Sequence, residues 1–468
     1  MKRFVIAILA CFCVIPGFSR GYNISVEVKG TRDSTMLLAI YFGEKQFAID
    51  TTVLDANGKA VFSNVEPLEA GMYLVIMGRS ILFDLLISNE DSQNFSVSLD
   101  VSLKKVPEFI GSQENTSFYQ YHAFKNDITR KRQEIDKLLM DTGDTYKLDS
   151  LNTESAGLRK SLAQYSDSVA NKYSGKTISI VLNALNVPEP PEVNIPRDDP
   201  KRDSIIYMNY YSYEKDHFFD RIDLSDERLA RTPFFESMLI YYFDYILLYK
   251  QTDSIVPYVD RVIEQASRND FMFRYVLSNL FNHYMRSKIM GQEGVVAHLA
   301  EKYYINDERT NWETEKFMQD ITNFVNRTKP TLLGEKAPDL SMETLSGQYE
   351  SISGIDTDFL VVYFYEPNCG FCKTETSKVF EIYKKFRDKG VQVFAVYTQQ
   401  DKEEWTGYVA EKGLDWINVW DPQNRNDFRE KYNVYTTPQL YVLDKDKRVV
   451  GRRLDSENME KMLINLTK

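Results

Sequence analysis

The feature that most constrains the fold of this chain is a pair of cysteines, Cys369 and Cys372, separated by two residues. The segment before them, Phe359 to Tyr365, is almost continuously apolar, as expected for a central strand covered on both faces. The segment after them, Thr374 to Arg387, has a helical pattern. The order strand, Cys-x-x-Cys, helix therefore places Cys369 at the start of a helix.

This placement has a chemical consequence for Cys369. Unpaired N–H groups and partial positive charge at a helix N-terminus favour a thiolate over a thiol. The thiolate is the attacking species in disulfide exchange, and a second cysteine one turn along can resolve the mixed disulfide. The pattern predicts a thiol–disulfide redox centre.

Two other interpretations of the pair stay open. A zinc site needs further ligands, and the four histidines, His122, His217, His283 and His298, all lie far upstream, so ligands would have to come from another domain. A purely structural disulfide would close too small a loop to add much stability. We therefore expect no metal and no other cofactor.

The N-terminus indicates export. Lys2 and Arg3 precede an apolar run from Phe4 to Ile15, and Pro16, Gly17 and the small residue Ser19 follow, as in a secretory signal. The run is too short for a transmembrane anchor, which needs about 20 apolar residues. Cleavage near Ser19 would remove two of the four cysteines and leave only Cys369 and Cys372, although lipoprotein processing at Cys11 is an alternative. We expect a protein of the periplasm or cell envelope.

Pattern changes along the chain predict several domains after this signal. Short alternating or apolar runs up to about residue 110 predict a β-sandwich, with Asp55-Ala56-Asn57-Gly58 as the turn of a hairpin between Phe47–Leu54 and Ala60–Phe62. Helical spacing dominates from about 114 to 326 and is interrupted by a proline-rich segment at 187–200. We predict a signal peptide at 1–19, a β-sandwich domain at 20–112, an α-helical domain at 113–330 and an α/β domain at 331–468.

Strand and helix signals alternate in the last of these domains. Val391 to Tyr397 reads as a strand and Lys402 to Lys412 as a helix. Gln439 to Leu443 and Arg448 to Arg452 read as a hairpin, and Glu457 to Leu466 as a final helix. The pattern predicts an α/β sheet with one antiparallel edge.

Three motifs in residues 334–468 resemble thioredoxin-fold proteins of the TlpA/ResA type, which are relatives of the AhpC/TSA redoxins. The motifs are Gly334 to Asp339, Phe364 to Lys373 around the cysteines, and Thr437 to Tyr441. The whole chain also resembles multi-domain thioredoxins of Bacteroidetes, which have an N-terminal β domain and a helical middle domain. The resemblance implies a thioredoxin fold for residues 331–468.

The resemblance also implies roles for individual residues. Cys369 takes the position of the nucleophile and Cys372 that of the resolving cysteine. Pro438 matches a proline whose preceding bond is cis, so that Thr437 presents its backbone to a substrate beside Cys369. Glu375 matches an acidic position near the thiol pair. The implied partners are protein thiol and disulfide clients and a membrane or periplasmic electron donor.

The sequence departs from thioredoxins at two positions. Tyr363 stands where they have a buried Asp, and Asn368 where they have Trp, so Glu375 or Glu366 would have to replace the usual proton relay. Glu366 also occupies the place where peroxiredoxins need Thr, which argues against a peroxidase. Both glutamates can equally be read as solvated charges at a helix start.

The direction of electron flow and the class of function depend on weaker signals. Gly370-Phe371 contains no cation to stabilise the Cys369 thiolate further, which favours a reductant over an oxidant. The net charge of -11 argues against nucleic-acid binding. The alternative is an envelope binding or scaffold protein whose thioredoxin domain recruits a partner. The sequence leaves the oligomeric state open.

Overall fold

The structure is a computed structural model that describes residues 21–31, 35–103, 105–141, 144–191, 193, 195–196, 198–249, 251–310 and 312–468. The predicted signal segment and Cys11 lie outside these ranges. None of the helices in the described ranges is both long and apolar enough to cross a bilayer. The chain forms two compact units, one of residues up to 247 together with 265–273, the other of residues 248–264 and 274–468.

The first unit begins with eight strands in two four-stranded sheets, with the orders β4-β1-β7-β8 and β3-β2-β5-β6. The strands are β1 Tyr22–Lys29, β2 Thr35–Phe42, β3 Lys45–Val53, β4 Lys59–Asn64, β5 Gly71–Met77, β6 Ser80–Ile87, β7 Asn94–Asp100 and β8 Glu108–Ile110. Alternate residues of both sheets, such as Ile24 and Val26 of β1 and Tyr73 and Val75 of β5, share one buried core. The predicted β-sandwich is confirmed.

The predicted hairpin around Gly58 is wrong. The turn itself forms, with Gly58 at φ 74 and its N–H donating to the Asp55 carbonyl oxygen at 3.0 Å. However, β3 pairs with β2 and β4 pairs with β1, so the turn carries the chain from one sheet to the other. A tight turn is set by local residues, whereas the choice of pairing partner depends on the apolar faces of both sheets.

Helices follow the sandwich, as predicted. In the first unit they are α1 Gln113–Asp141, α2 Thr145–Lys172, α3 Thr177–Ala184, α4 Arg202–His217 and α5 Phe235–Tyr241, the last continued by a π-helical turn at Tyr242–Ile246. The proline-rich segment lies between α3 and α4. Next come α6 Thr252–Ala266, α7 Asp270–Met285, α8 Glu293–Leu299, a π-helical turn at Ala300–Ile305, and α9 Glu315–Thr328.

The second unit contains a seven-stranded mixed sheet of order β10-β9-β13-β12-β11-β14-β15. Its elements are β9 Ser341–Thr344, β10 Tyr349–Ser351, β11 Phe359–Tyr365, α10 Gly370–Phe386, β12 Val391–Tyr397, α11 Lys402–Lys412, β13 Ile417–Trp420, α12 Phe428–Lys431, β14 Gln439–Leu443, β15 Val449–Arg452 and α13 Ser456–Leu466. Strand β11 pairs in parallel with β12 and antiparallel with β14. This arrangement confirms the predicted α/β thioredoxin fold.

The sheet differs from the prediction at one edge. Antiparallel strands close both sides, because β9 and β10 extend the sheet beyond β13, whereas the sequence predicts one antiparallel edge. In the middle, alternate residues of β11 enter two hydrophobic clusters, Val361, Tyr363 and Tyr365 on one face and Leu360, Val362 and Phe364 on the other. Strand β11 is therefore anchored on both faces immediately before the cysteines.

Candidate active site

The two cysteines lie where β11 passes into α10. Cys369 is the N-cap residue of α10, and its Sγ accepts a hydrogen bond from the Cys372 backbone N–H at 3.3 Å. Both cysteines are free thiols. Cys369 is partly exposed, whereas Cys372 is 0% exposed. One thiol can meet a large partner and the other lies directly behind it.

The Thr437-Pro438 segment lies beside this pair. The peptide bond between the two residues is cis, as the resemblance implies. The Cys369 thiol lies 3.8 Å from the Thr437 carbonyl oxygen, although the residues are 68 positions apart. Strand β14 brings them together, since it begins next to Pro438 and pairs with β11, with Gln439 opposite Phe364.

The environment of Cys372 disfavours its thiolate. The pKa of Cys372 is raised to about 11, first by burial and then by a hydrogen bond and a charge interaction with Cys369. The Glu366 backbone and the Thr437 side chain lower the same pKa by smaller amounts. A group with this pKa is protonated near neutral pH. Cys372 must therefore lose a proton before it can attack a disulfide.

Tyr363 stands where thioredoxins have a buried Asp, so a hydroxyl takes the place of a carboxylate in the core beneath the cysteines. Its OH lies 2.8 Å from Thr376 Oγ1, and Thr376 is one helical turn beyond Cys372 on α10. Burial raises the pKa of Tyr363 well above its ordinary value. Tyr363 can therefore donate a hydrogen bond in this core but cannot serve as a base near neutral pH.

Glu375 is only 4% exposed, and the two hydrogen bonds to its carboxylate come from residues other than the cysteines. Its carboxylate accepts from the Lys378 Nζ at 3.0 Å and from the Ser456 backbone N–H at the start of α13 at 3.1 Å. Burial would raise the pKa of Glu375, but the bonds from Ser456 and Lys378 outweigh it and lower that pKa. Glu375 thus joins α10 to α13.

Glu366 instead faces the cis-proline segment. It follows β11 directly, and its carboxylate accepts hydrogen bonds from the Thr437 hydroxyl and from the Gln399 side-chain amide. Of the two glutamates weighed from the sequence, Glu366 is the one bonded to a residue that touches the thiol pair. Gln399 carries no sequence signal, because only the pairing of β12 with β11 brings it here.

Asn368 borders a cavity beside the cysteines. Its side-chain amide donates to Glu404 of α11, whose other carboxylate oxygen accepts from the Tyr397 hydroxyl at 2.6 Å. The cavity measures about 330 Å³ and is lined by Pro367, Asn368, Lys373, Glu403, Glu404, Gly407, Tyr408, Glu411 and Lys412. Sequence reasoning missed Glu404, since no motif links α11 to the residue before Cys369.

Within the described ranges of the chain, no group of three or more His, Cys, Asp or Glu side chains is arranged to hold a metal ion.

Residues 333–452 match the family model described as AhpC/TSA family, and residues 22–118 match a domain of unknown function, DUF4369. The chain is 25% identical over 145 residues to the thiol-disulfide oxidoreductase ResA of Geobacillus kaustophilus, an alignment that covers 30% of this chain and 82% of ResA. It is 27% identical over 113 residues to the thioredoxin-like protein YneN of Bacillus subtilis, covering 24% of this chain and 65% of YneN.

Two solved structures are also similar. A domain of a possible thiol-disulfide isomerase from Cytophaga hutchinsonii is 37% identical, with 29% of this chain and 93% of that one covered and a TM-score of 0.28. A thioredoxin-like protein from Bacteroides caccae is 17% identical, with coverages of 60% and 99% and a TM-score of 0.44. On the family match and the ResA similarity, the C-terminal region of this chain belongs to the AhpC/TSA family, as a thioredoxin-like thiol–disulfide oxidoreductase of the ResA type.

Proposed function

We propose that this protein reduces disulfide bonds of client proteins outside the cytoplasm, with Cys369 as nucleophile and Cys372 as resolving cysteine. The observation that carries the proposal is the pairing of a partly exposed thiol at a helix start with a fully buried thiol behind it. Only the first can reach a disulfide in another protein. The second can reach only the bond that the first has formed.

The reaction has two steps. The Cys369 thiolate attacks one sulfur of the client disulfide, forming a mixed disulfide and releasing the other client sulfur as a thiolate, which takes up a proton. Cys372 then loses its proton and attacks Cys369 Sγ, so that the second client sulfur leaves. The client gains two electrons and two protons, and the protein is left with a Cys369–Cys372 disulfide.

The segment beside Cys369 would receive the client. The Thr437 carbonyl oxygen lies 3.8 Å from Cys369 Sγ, a position from which its backbone can bond to an extended peptide. Phe371, inside the motif, is 67% exposed and offers an apolar contact to the same client. Thr437 and Pro438 act in this proposal by positioning the client and not by chemistry.

The direction of electron flow follows from the thiolate environment. A strong oxidant owes its potential to a very stable reduced thiolate. Gly370 and Phe371 add no positive charge between the cysteines. A centre of this kind favours the disulfide form and gives electrons to clients, so a membrane or periplasmic donor must reduce it again.

The proposed location depends on the N-terminus. Lys2, Arg3 and the apolar run to Ile15 have the layout of an export signal. The domain limits at residues 112 and 330 are likewise proposals.

Trapping variants test the assignment of the two cysteines. Cys372→Ser should accumulate mixed disulfides with clients, because nothing resolves them, and Cys369→Ser should trap none. Non-reducing electrophoresis of the exported full chain measures both. The reverse trapping pattern would contradict the roles, and a reduction potential as high as those of strong oxidants, about -120 mV, would contradict the direction.

A further inference from the structure

The segment 435–437, which ends in the Thr437 carbonyl oxygen beside Cys369, is not held by backbone hydrogen bonds from its own N–H groups. Within the part of the chain that the structure describes, those three groups donate no backbone hydrogen bond, and strand pairing resumes at Gln439. At the end of the segment, the Thr437 hydroxyl donates to the Glu366 carboxylate. Side chains therefore have to fix the position of this segment.

Tyr435 anchors the other end of the segment. Its hydroxyl donates to the Glu430 carboxylate. The Arg327 guanidinium donates to the same carboxylate twice, from Nε at 2.5 Å and from Nη2 at 3.1 Å, and lies 4.7 Å from the centre of the Tyr435 ring. Hydrogen bonds from Tyr435 and Arg327 lower the pKa of Glu430, so its carboxylate is charged near neutral pH. Each member of this anchor cluster, Arg327, Glu430 and Tyr435, contacts the other two.

The anchor cluster joins the helical region to the C-terminal sheet region. Arg327 lies in the last turn of α9, between the buried residues Val325 and Thr328, and Glu430 lies in α12. An isolated surface ion pair contributes little, whereas a bidentate arginine–carboxylate pair within a network holds its members in one geometry. Helix α9 therefore supplies a fixed support for the segment beside Cys369.

We propose that Arg327 is a positioning residue for client binding, an inference that rests on the proposed function. Through Glu430 and Tyr435 it holds segment 435–437 so that the Thr437 carbonyl oxygen faces an incoming extended peptide. Arg327 takes no part in the exchange between sulfur atoms. The helical region thereby contributes to client binding, although it lies outside the thioredoxin fold.

Kinetics with a large and a small substrate test this role. Reduction of insulin by the full chain is followed with a small dithiol as donor. The pre-reduced full chain is also mixed, without dithiol, with dithiobis-nitrobenzoate, a small disulfide that needs no peptide contact with Thr437. The variants are Arg327→Met, Arg327→Lys and Tyr435→Phe. Lys329→Met is the matched control, because Lys329 follows α9 directly but pairs with Glu301 of the helical region.

Arg327→Met should raise KM for insulin about threefold to tenfold and change kcat by less than about twofold, because a loosened segment must be ordered on binding. The rate constant with dithiobis-nitrobenzoate should be unchanged. Arg327→Lys should lie between wild type and Arg327→Met, since an ammonium group keeps the charge but not the two parallel bonds. The double variant Arg327→Met/Tyr435→Phe should lose less than the product of the two single effects, because both changes break one cluster.

Limited proteolysis measures the segment itself and needs no client. Chymotrypsin can cut after Tyr435 only when the segment opens, so the rate of this cut follows the open population. Arg327→Met should raise the rate by about threefold or more, as identified by mass spectrometry, and Lys329→Met should not change it.

Several results would overturn the role of Arg327. They are a wild-type KM for insulin in Arg327→Met, equal losses with insulin and with the small disulfide, and an equal effect of Lys329→Met. Unchanged cleavage after Tyr435 alongside normal insulin reduction would overturn the anchor alone. If wild type failed to reduce insulin, the proposed function would fail, and with it the role of Arg327 in client binding.

Discussion

Replacement of Glu375 by Gln separates a structural role from the catalytic one that the resemblance implies. The two carboxylate oxygens accept from different donors, Lys378 Nζ and the buried Ser456 N–H. A glutamine can keep its single acceptor oxygen on the buried Ser456 N–H, but that bond is then neutral instead of charge-assisted, and the Lys378 bond is lost. A hydrogen bond to a charged group contributes about 1.5–3 kcal/mol and a neutral one about 0.5–1.5 kcal/mol, and an exposed pair such as that with Lys378 contributes up to about 1 kcal/mol, so the total loss is about 2 kcal/mol.

The loss should be visible in urea. A loss of about 2 kcal/mol, with a denaturant dependence of about 2 kcal/mol per molar, lowers the urea midpoint by about 1 M. Tryptophan fluorescence of the full chain measures it, because three of the four tryptophans, Trp405, Trp416 and Trp420, lie in the C-terminal sheet region. Glu381 forms an exposed ion pair with Lys384 on the same helix, so the control variant Glu381→Gln should change the stability by less than about 1 kcal/mol.

The contribution of Glu375 to the free energy of unfolding should also depend on pH. The folded state lowers the pKa of Glu375 from its ordinary value of 4.5, so its contribution is complete above that value. The contribution is lost as pH falls through the folded pKa, because the carboxylate is then protonated in both states. The gap between wild type and Glu375→Gln should therefore be largest at pH 7 and shrink in acid.

Two results would refute this reasoning. An unchanged urea midpoint at pH 7 would mean that the α10–α13 bond contributes nothing. Unchanged stability combined with a large loss of turnover would instead support the catalytic role implied by the resemblance.

Three further predictions follow from burial and backbone geometry. In the native reduced protein at pH 7, iodoacetamide should modify Cys369 alone, because Cys372 is 0% exposed and its pKa is raised to about 11. Mass spectrometry should find the second modification only in denaturant. Two rapid modifications of the native protein would contradict this prediction. Phe371 is 67% exposed, so Phe371→Ser should leave the melting temperature unchanged. The variant should raise KM for a protein disulfide but not for a small disulfide, because only the protein client contacts this ring. Equal KM changes for both substrates would count against client contact. Gly58→Ala should destabilise the β-sandwich by more than about 1 kcal/mol in urea unfolding followed by circular dichroism, because φ is +74 and a Cβ would lie 2.4 Å from the Val28 carbonyl oxygen. Gly347 also has a positive φ but open space around its Cβ, so Gly347→Ala should cost less. Equal costs for the two variants would refute the steric argument.

The sequence predicts the elements around the cysteines well because their signals are local. Strand Val391–Tyr397 and helix Lys402–Lys412 have the predicted bounds, since a buried apolar run and a capped helix are complete within their own residues. The strands Ser341–Thr344, Tyr349–Ser351 and Ile417–Trp420 were missed. They are three or four residues long, and pairing with a neighbouring strand defines them more than composition does.

The candidate site shows the same division. Cys369 and Cys372 follow from one motif, and the resemblance adds Thr437 and Pro438. The bond between Glu366 and Thr437 joins residues 71 positions apart, so no local pattern reveals it. The spacing that placed Glu375 near the thiols is correct along the helix, but the docking of α13 directs its carboxylate to Ser456.

The most direct test of the central claim is the reduction of insulin disulfides by the full chain, supplied with a small dithiol and followed as turbidity. The account predicts turnover well above the dithiol alone for wild type, and none above it for Cys369→Ser. Wild-type turnover no faster than the dithiol, or equal turnover by Cys369→Ser, would contradict the assignment of this protein as a disulfide reductase acting through Cys369.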